Sequence, residues 1–195
     1  MDSLNIYYRE LSGVKMYLIG GDFGERYVSI VGGVVGIEDV TGVVDILSEI
    51  DSEFGTVSQI FDAEKIAGRD HLLLAARLAF DAMERDRSFA DDSSIELTCW
   101  AAGMRQINKS LEKVGVKEGE NGVVLFVSGE DEESVEQARE ACLERLGIDG
   151  NDDFVGVDGC EEVLSETFDL SEDRLEVYPI EELVMEKVSL LSLEQ

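Results

Sequence analysis

Basic residues are scarce in this sequence, and this scarcity is its most unusual property. The 195 residues include 16 Lys and Arg against 44 Asp and Glu, which gives a formal net charge of −28. A field of that sign repels phosphate backbones, so the composition as a whole argues against nucleic-acid binding unless cations gather locally. The simplest interpretation of the acidity is a contribution to solubility, which salt screening makes tolerable.

Cysteine, histidine and proline are scarce as well. Cys99, Cys142 and Cys160 are odd in number and show no C-x-x-C spacing, which excludes a disulfide framework and a zinc knuckle. His71 is the one histidine, so His-rich metal sites are excluded too. Pro179 is the one proline, and no low-complexity tract marks a linker. We therefore predict a single domain over residues 1–195 with no cofactor.

Long apolar runs are missing. The N-terminus has no basic segment followed by an apolar stretch, and no run of about 18 uncharged apolar residues occurs. These absences predict a cytoplasmic protein that is neither secreted nor membrane-spanning. A hydrophobic content of 44% and a charged content of 31% are typical of a globular chain rather than a disordered one.

Apolar periodicity predicts a mixed α/β fold in which several helices flank a largely antiparallel sheet. Alternating or continuous apolar runs predict strands at Val14–Ile19, Tyr27–Val35, Val57–Phe61, Ile95–Ala101 and Val123–Ser128, with a short β-like run at Leu175–Tyr178. Helical spacing and cap residues predict helices over 37–50, ended by Gly55, and over 68–85, Met104–Val114, Glu132–Leu146, Glu161–Phe168 and 179–193.

The glycines of the first 36 residues, Gly20, Gly21, Gly24, Gly32 and Gly33 among them, are predicted to form turns or strand ends. A phosphate-binding loop is the alternative, but both the dinucleotide-binding spacing and the G-K-[ST] ending are missing. A small-molecule-binding or enzymatic protein that uses this half of the chain remains the second functional hypothesis. It predicts a deep pocket lined by polar groups from residues 20–45.

No catalytic constellation stands out, and we predict a protein that is not an enzyme. No Ser or Cys has a recognisable nucleophile context. His71 has three interpretations: a packed or capping side chain, which is the usual role of a lone helical histidine, an RNA or partner contact, or a general base. Among 44 acids, carboxylate pairs arise by chance and cannot be singled out.

The few bases are unevenly distributed. Residues 62–119 hold nine Lys and Arg against eleven acids, whereas the rest of the chain holds seven against 33. In this nearly neutral block Arg105, Lys109 and Lys113 are spaced i, i+4, i+8, which predicts a basic ridge on one helix face, opposite an apolar stripe. An ordinary solvated face is the alternative. Like charges at this spacing are mildly unfavourable unless an anion such as an RNA phosphate binds them.

Two stretches carry a resemblance to a known family. They are Asp62-Ala63…Ile66-Ala67-Gly68-Arg69-Asp70-His71-Leu72-Leu73…Ala75, and Ala101-Ala102-Gly103…Arg105-Gln106-Ile107…Lys113-Val114-Gly115-Val116-Lys117…Gly119. Over a core of about 57–130, and again in the closing helix at about 179–193, the chain resembles the TPRKB family, the kinase-binding regulatory subunits of the KEOPS (EKC) complex.

This resemblance implies a non-catalytic α/β subunit that docks on the atypical kinase/ATPase of the complex and helps recruit tRNA by its 3′ CCA end. The threonylcarbamoyl-transferase subunit, an indirect partner, performs the chemistry on the adenosine beside the anticodon. The resemblance implies RNA contacts at Arg69, His71, Gly103, Arg105, Gln106, Ile107, Lys109 and Lys113. It implies partner contacts at Leu73, Val184, Val188 and Leu191, where helical spacing on the last helix would suit a partner groove.

Overall fold

The computed structural model describes residues 6–11 and 14–194. The strands are β1 (Ile6–Leu11), β2 (Val14–Gly21), β3 (Gly24–Ile37), β4 (Val57–Asp62), β5 (Gly119–Gly129) and β6 (Asp149–Gly150). The helices are α1 (Val40–Phe54), α2 (Gly68–Glu84), α3 (Ser93–Ala102), α4 (Ile107–Val114), α5 (Glu132–Leu146), α6 (Glu161–Phe168), α7 (Glu172–Leu175) and α8 (Ile180–Leu190).

The strands form one sheet in the order β1-β2-β3-β5-β4, and β6 pairs with β3 beside the end of β2. Every pairing between the described strands is antiparallel. The predicted fold class, a mixed α/β domain with a largely antiparallel sheet, is confirmed. Strand β4 lies at one margin of the sheet, where helices α1 and α3 contact it.

Helices cover both faces of the sheet. Central strand β5 shows this directly, because its side chains from Val123 to Val127 are all buried and alternate between two cores. Val123, Leu125 and Val127 pack with α1 and α5, whereas Val124 and Phe126 pack with α2, α3, α6 and α8. A strand buried on both faces reads as a continuous apolar run, which is why it was predictable.

The predicted end of α1 at Gly55 and the predicted bounds of α5 are confirmed, and both helices carry capping residues. Asp39 caps α1 by accepting from the backbone N–H groups of Thr41 and Gly42, and Gly55 ends the helix in a left-handed conformation with φ 69°. Asp131 and Gly147 bound α5 in the same way. Polar N-caps and left-handed glycine C-caps satisfy the terminal backbone groups of a helix.

Two of the N-terminal glycines have a different role from the predicted one. Gly32 and Gly33 lie inside β3, not in a turn or at a strand end. A Cβ on Gly32 would lie 2.5 Å from the carbonyl oxygen of Asn151, and one on Gly33 would lie 2.5 Å from Cγ2 of Ile148. Glycine is therefore needed here because residues 148–155 cross the strand at close range.

Two predicted strands are wrong. Residues 95–101 belong to helix α3, whose N-cap Asp92 accepts from the backbone N–H groups of Ser94 and Ile95. Leu175–Tyr178 begins at the end of the single-turn helix α7 and continues in turns. The first error has a physical cause, because seven of the ten residues of α3 are buried and a helix covered on most sides shows no amphipathic period.

Candidate RNA and partner interfaces

Three of the predicted RNA residues, Gly103, His71 and Lys113, meet at the C-terminus of α3. Gly103 ends the helix with φ 61°, and the N–H of Met104 donates to the carbonyl of Cys99 at 3.0 Å. This left-handed ending satisfies part of the last turn but leaves the carbonyls of Ala101 and Ala102 to other donors. Two neighbouring helices supply those donors as side chains.

His71 of α2 supplies the first. Its ring is fully buried, and Nε2 lies 2.9 Å from the carbonyl oxygen of Ala101 while Nδ1 accepts from the N–H of Ala67 at 3.1 Å. Because Nδ1 accepts, Nε2 must carry the proton and donate to Ala101. Burial, with the charge of Lys113 as a smaller cause, lowers the pKa of His71 to about 4. A ring enclosed in this way is inaccessible to RNA in this structure, and it serves as the packed, capping side chain of the first interpretation.

Lys113 of α4 supplies the second donor. Its Nζ lies 2.7 Å from the carbonyl oxygen of Ala102 and 4.3 Å from the centroid of the Phe168 ring. Desolvation, with the nearby charge of Lys187 as a second cause, lowers the pKa of Lys113 to about 8. The C-terminal end of a helix favours a cation, which helps to hold this ammonium group in a half-buried position.

Lys187 of α8 completes a cluster that the spacing argument did not include. It is half-buried, lowers the pKa of Lys113 through its charge, and its carbonyl would lie 3.6 Å from a Cβ on Gly103. Lys187 lies 74 residues from Lys113 in the chain. No local periodicity could connect the two, although Lys187 lies in the closing segment that carried part of the resemblance.

The predicted basic ridge does not form as a continuous stripe. Helix α4 begins at Ile107, so Arg105 precedes it, and the Arg105 guanidinium carbon lies 5.4 Å from the centroid of the Phe89 ring. Lys113 turns inward to Ala102, whereas Lys109 is exposed. The three cations therefore have three different environments. Those with exposed side chains among the predicted RNA residues are Arg105, Gln106, Ile107 and Lys109, while Gly103 and Arg69 are half-buried.

The predicted partner stripe is part of the protein's own core. Leu73, Val184 and Val188 have no exposed surface, and Leu191 is buried as well. All four belong to the core that α2, α3, α6 and α8 share. These side chains offer no contact surface to a partner in this structure, because the neighbouring helices already cover them.

Trp100 is also a core residue. Its Nε1–H donates to Oε1 of the fully buried Glu96 at 2.7 Å, and its ring stacks on Phe89 with centroids 5.6 Å apart. Glu96 Oε2 accepts from the backbone N–H groups of Phe89 and Ala90. A buried carboxylate is tolerated when donors surround it in this way.

An apolar groove lies beyond the outer edge of β4. It has a volume of about 590 Å³ and runs between α1 on one side and α3 with α4 on the other. One face of α1 lines it at helical spacing, with Val40, Val43, Val44, Leu47, Ser48 and Asp51. Val44 is 56% exposed and Leu111 on the facing wall is 38% exposed. Most of the groove surface is thus apolar side chain open to solvent.

The floor of the groove is a closed strand edge. The N–H of Ser58 donates to Oδ2 of Asp51 at 2.8 Å, and the N–H of Ile60 donates to the side chain of Gln59 at 2.9 Å. Gln59 in turn donates to Thr98 Oγ1 at 2.9 Å. Side chains therefore satisfy the outward amides of β4, as is common where a protein protects an edge strand.

The family model of the kinase binding protein CGI-121 matches residues 37–192, from the end of β3 to the last turn after α8. The chain belongs to the CGI-121 family of kinase-binding proteins. The predicted resemblance is thereby confirmed, and the family assignment places kinase binding among its expected properties. Strands β1 and β2 and most of β3 precede the matched region. No curated protein matches the sequence.

The described residues add two negative findings. None of their helices is long and apolar enough to cross a membrane. They also contain no group of three or more His, Cys, Asp or Glu side chains arranged to hold a metal ion.

The three cysteines are free thiols. Burial raises the pKa of each thiol, that of Cys142 to about 11. A raised pKa disfavours the thiolate that a nucleophile requires.

Proposed function

We propose that this protein is the non-catalytic, kinase-binding subunit of a cytoplasmic KEOPS complex, where it helps to recruit tRNA by its 3′ CCA end for threonylcarbamoyl-adenosine modification. Membership of the CGI-121 family supports the kinase-binding half of this proposal. The tRNA half rests on the resemblance of the two sequence stretches and on the placement of cations at the end of α3. The transferase subunit would supply the chemistry.

The convergence of Lys113 and Lys187 is the observation that carries the RNA assignment. In a molecule with a net charge of −28, Lys113 and Lys187 are both half-buried beside the end of α3, and the charge of Lys187 adds to desolvation in lowering the pKa of Lys113. Such crowding is unfavourable for the isolated chain, and a bound phosphate would relieve it. Arg105 and Lys109 lie exposed on the adjoining segment and extend the cationic surface toward solvent.

Reversal of the exposed charges should weaken tRNA binding. We expect Lys109→Glu to reduce the affinity for CCA-ended tRNA about three- to tenfold at low salt, because one attractive interaction with a phosphate becomes repulsive. Combining it with Arg105→Glu should lower the affinity further. The slope of log affinity against log salt should also fall by about 1 for each phosphate that is no longer bound. Filter binding or fluorescence anisotropy over a salt series measures both quantities.

Arg145→Glu is the matched control for this experiment. It changes the net charge by the same amount but lies on α5, on the other face of the sheet, where its exposed ion pair with Glu49 contributes little to stability. Equal losses of binding for Lys109→Glu and Arg145→Glu would indicate a general charge effect. Unchanged binding in the double variant would contradict the RNA assignment.

The lysine pair can be tested without RNA. Lys187→Gln should raise the pKa of Lys113 from about 8 toward its usual value of 10.5, because one of the two causes of the depression is removed. Desolvation remains, so the pKa should not reach 10.5. NMR titration of the Lys113 side chain measures this change, and Lys117→Gln, which alters an exposed lysine on the loop after α4, should leave it unchanged.

A further inference from the structure

We propose that the groove between α1 and α3 with α4 is the docking site for the kinase partner, and that it receives an apolar segment of the kinase carrying a Lys or Arg. This inference rests on the proposed function and adds the location and the chemistry of the contact. It replaces the buried stripe of α8 as the kinase-docking surface.

The apolar part of the inference follows from the groove walls. Val44 and Leu111 belong to helices from opposite faces of the sheet, yet both point their exposed side chains into the same groove. Leu111 does so because it lies two residues from Lys109 and from Lys113, which places it on a different side of α4 from the cations. Solvated apolar side chains lining both walls of a concave surface are typical of protein-binding sites.

The charge of the segment follows from two carboxylates. Among the described residues that line the groove, Asp51 and Asp92 are the charged ones. Both carboxylates line the groove, Asp51 from α1 and Asp92 from the N-cap of α3, and the charge of Asp92 adds to burial in raising the pKa of Asp51, so the two carboxylates repel each other. A cation between them would relieve this repulsion, whereas a phosphate would increase it. The groove therefore favours a basic peptide segment over RNA.

The floor of the groove, which is the outer edge of β4, determines how a kinase segment can bind. Because Asp51 and Gln59 already accept from the outward amides of β4, the kinase segment cannot add a strand to this edge without breaking those hydrogen bonds. Two helices flank the groove, which suits an inserted helix or loop that presents side chains. An apolar side chain between Val44 and Leu111, with a basic one at the Asp51 and Asp92 end, satisfies both features.

Val44→Glu tests the apolar contact. It should reduce the affinity for the atypical kinase at least tenfold, because it buries a carboxylate where an apolar contact belongs. Val177→Glu is the matched control, since Val177 is 68% exposed in the loop before α8 and does not line the groove. It should bind the kinase as the unchanged chain does. Isothermal titration calorimetry with the intact kinase measures both affinities, and circular dichroism checks that both variants fold.

Asp92→Ser tests the cationic contact. Serine is also a good N-cap, so α3 should keep its start while the groove loses a charge. We expect about three- to tenfold weaker kinase binding at low salt and a smaller effect of added salt. Asp131→Ser makes the same substitution at the N-cap of α5, outside the groove, and should leave kinase binding unchanged.

The outcomes separate the two proposals. This inference is supported if the unchanged chain and the two control variants bind the kinase and if Val44→Glu and Asp92→Ser bind it more weakly. Equal binding by the unchanged chain and Val44→Glu overturns the groove assignment but leaves the kinase-binding function intact. Loss of tRNA binding rather than kinase binding in Val44→Glu also overturns it. A failure of the unchanged chain to bind the kinase overturns both.

Discussion

Acidification from pH 8 to pH 4 should remove about 3 kcal/mol of stability through His71 alone, given a folded-state pKa of about 4 and a usual value of 6.5. The sign follows from the depressed pKa. Between pH 6.5 and pH 4 the unfolded chain binds a proton at His71 that the folded chain does not, so stability rises with pH in this window. The contribution is complete above pH 6.5 and is lost as the pH falls through 4.

Replacing His71 by a side chain that does not titrate should remove its contribution to the pH dependence of the free energy of unfolding. Asn at position 71 can still offer an acceptor near the site of Nδ1, but its shorter side chain does not reach the carbonyl of Ala101 and lacks the ring that meets Phe168 with centroids 5.6 Å apart. We expect His71→Asn to be about 2 kcal/mol less stable at pH 7, with the difference narrowing or reversing near pH 4.

Urea unfolding at a series of pH values measures this effect. The comparison of variant with unchanged chain cancels the titration of the 44 acidic residues, which dominates the absolute curves. A constant difference between His71→Asn and the unchanged protein from pH 8 to pH 4 would contradict the buried, neutral state of the ring.

Glu96→Ala should cost about 3–4 kcal/mol of folding free energy. The substitution leaves three donors without their acceptor: the N–H groups of Phe89 and Ala90 and the Nε1–H of Trp100. Each buried donor without a partner costs about 1–3 kcal/mol. Burial raises the pKa of Glu96, because it disfavours the charged form of the carboxyl group. Removing this carboxylate therefore also removes an unfavourable desolvation, which offsets part of the loss.

Glu96→Gln separates the acceptor role from side-chain shape. The amide keeps the size of the side chain but turns one acceptor oxygen into a donor that faces other donors, so a loss of about 2 kcal/mol is expected. Glu144→Ala on the exposed face of α5 is the control and should change stability by less than about 0.5 kcal/mol. Thermal and urea unfolding measure these free energies. If Glu96→Gln were as stable as the unchanged protein, the hydrogen-bond role of Glu96 would be contradicted.

Elements with a clear helical period or a continuous apolar run were predictable from the sequence. Helix α1 shows an apolar stripe and ends at Gly55, and β5 reads as a continuous apolar run. Helix α3 was not predictable, because Ile95, Thr98 and Trp100 favour strands by intrinsic propensity. Its helical form depends on the cap at Asp92 and on burial of Glu96, which are visible only in the folded chain.

The candidate site was predictable as a region but not in its arrangement. The sequence predicted Arg105, Lys109 and Lys113 on one helix face, but Arg105 precedes α4, and Lys109 and Lys113 lie on it. It could not show that His71 and Lys113 would turn inward to the carbonyls of α3. The residues that carry the family resemblance are therefore partly structural, since they hold helices together as well as line a surface.

Helix α3 gives the molecule a fixed internal spacing. Its first turn lines the groove, and its last turn carries the carbonyls to which His71 and Lys113 are bound. Ten helical residues at about 1.5 Å each set these ends about 15 Å apart. Under the proposed function, the kinase segment and the tRNA end would therefore bind about one α3 length apart on the same molecule.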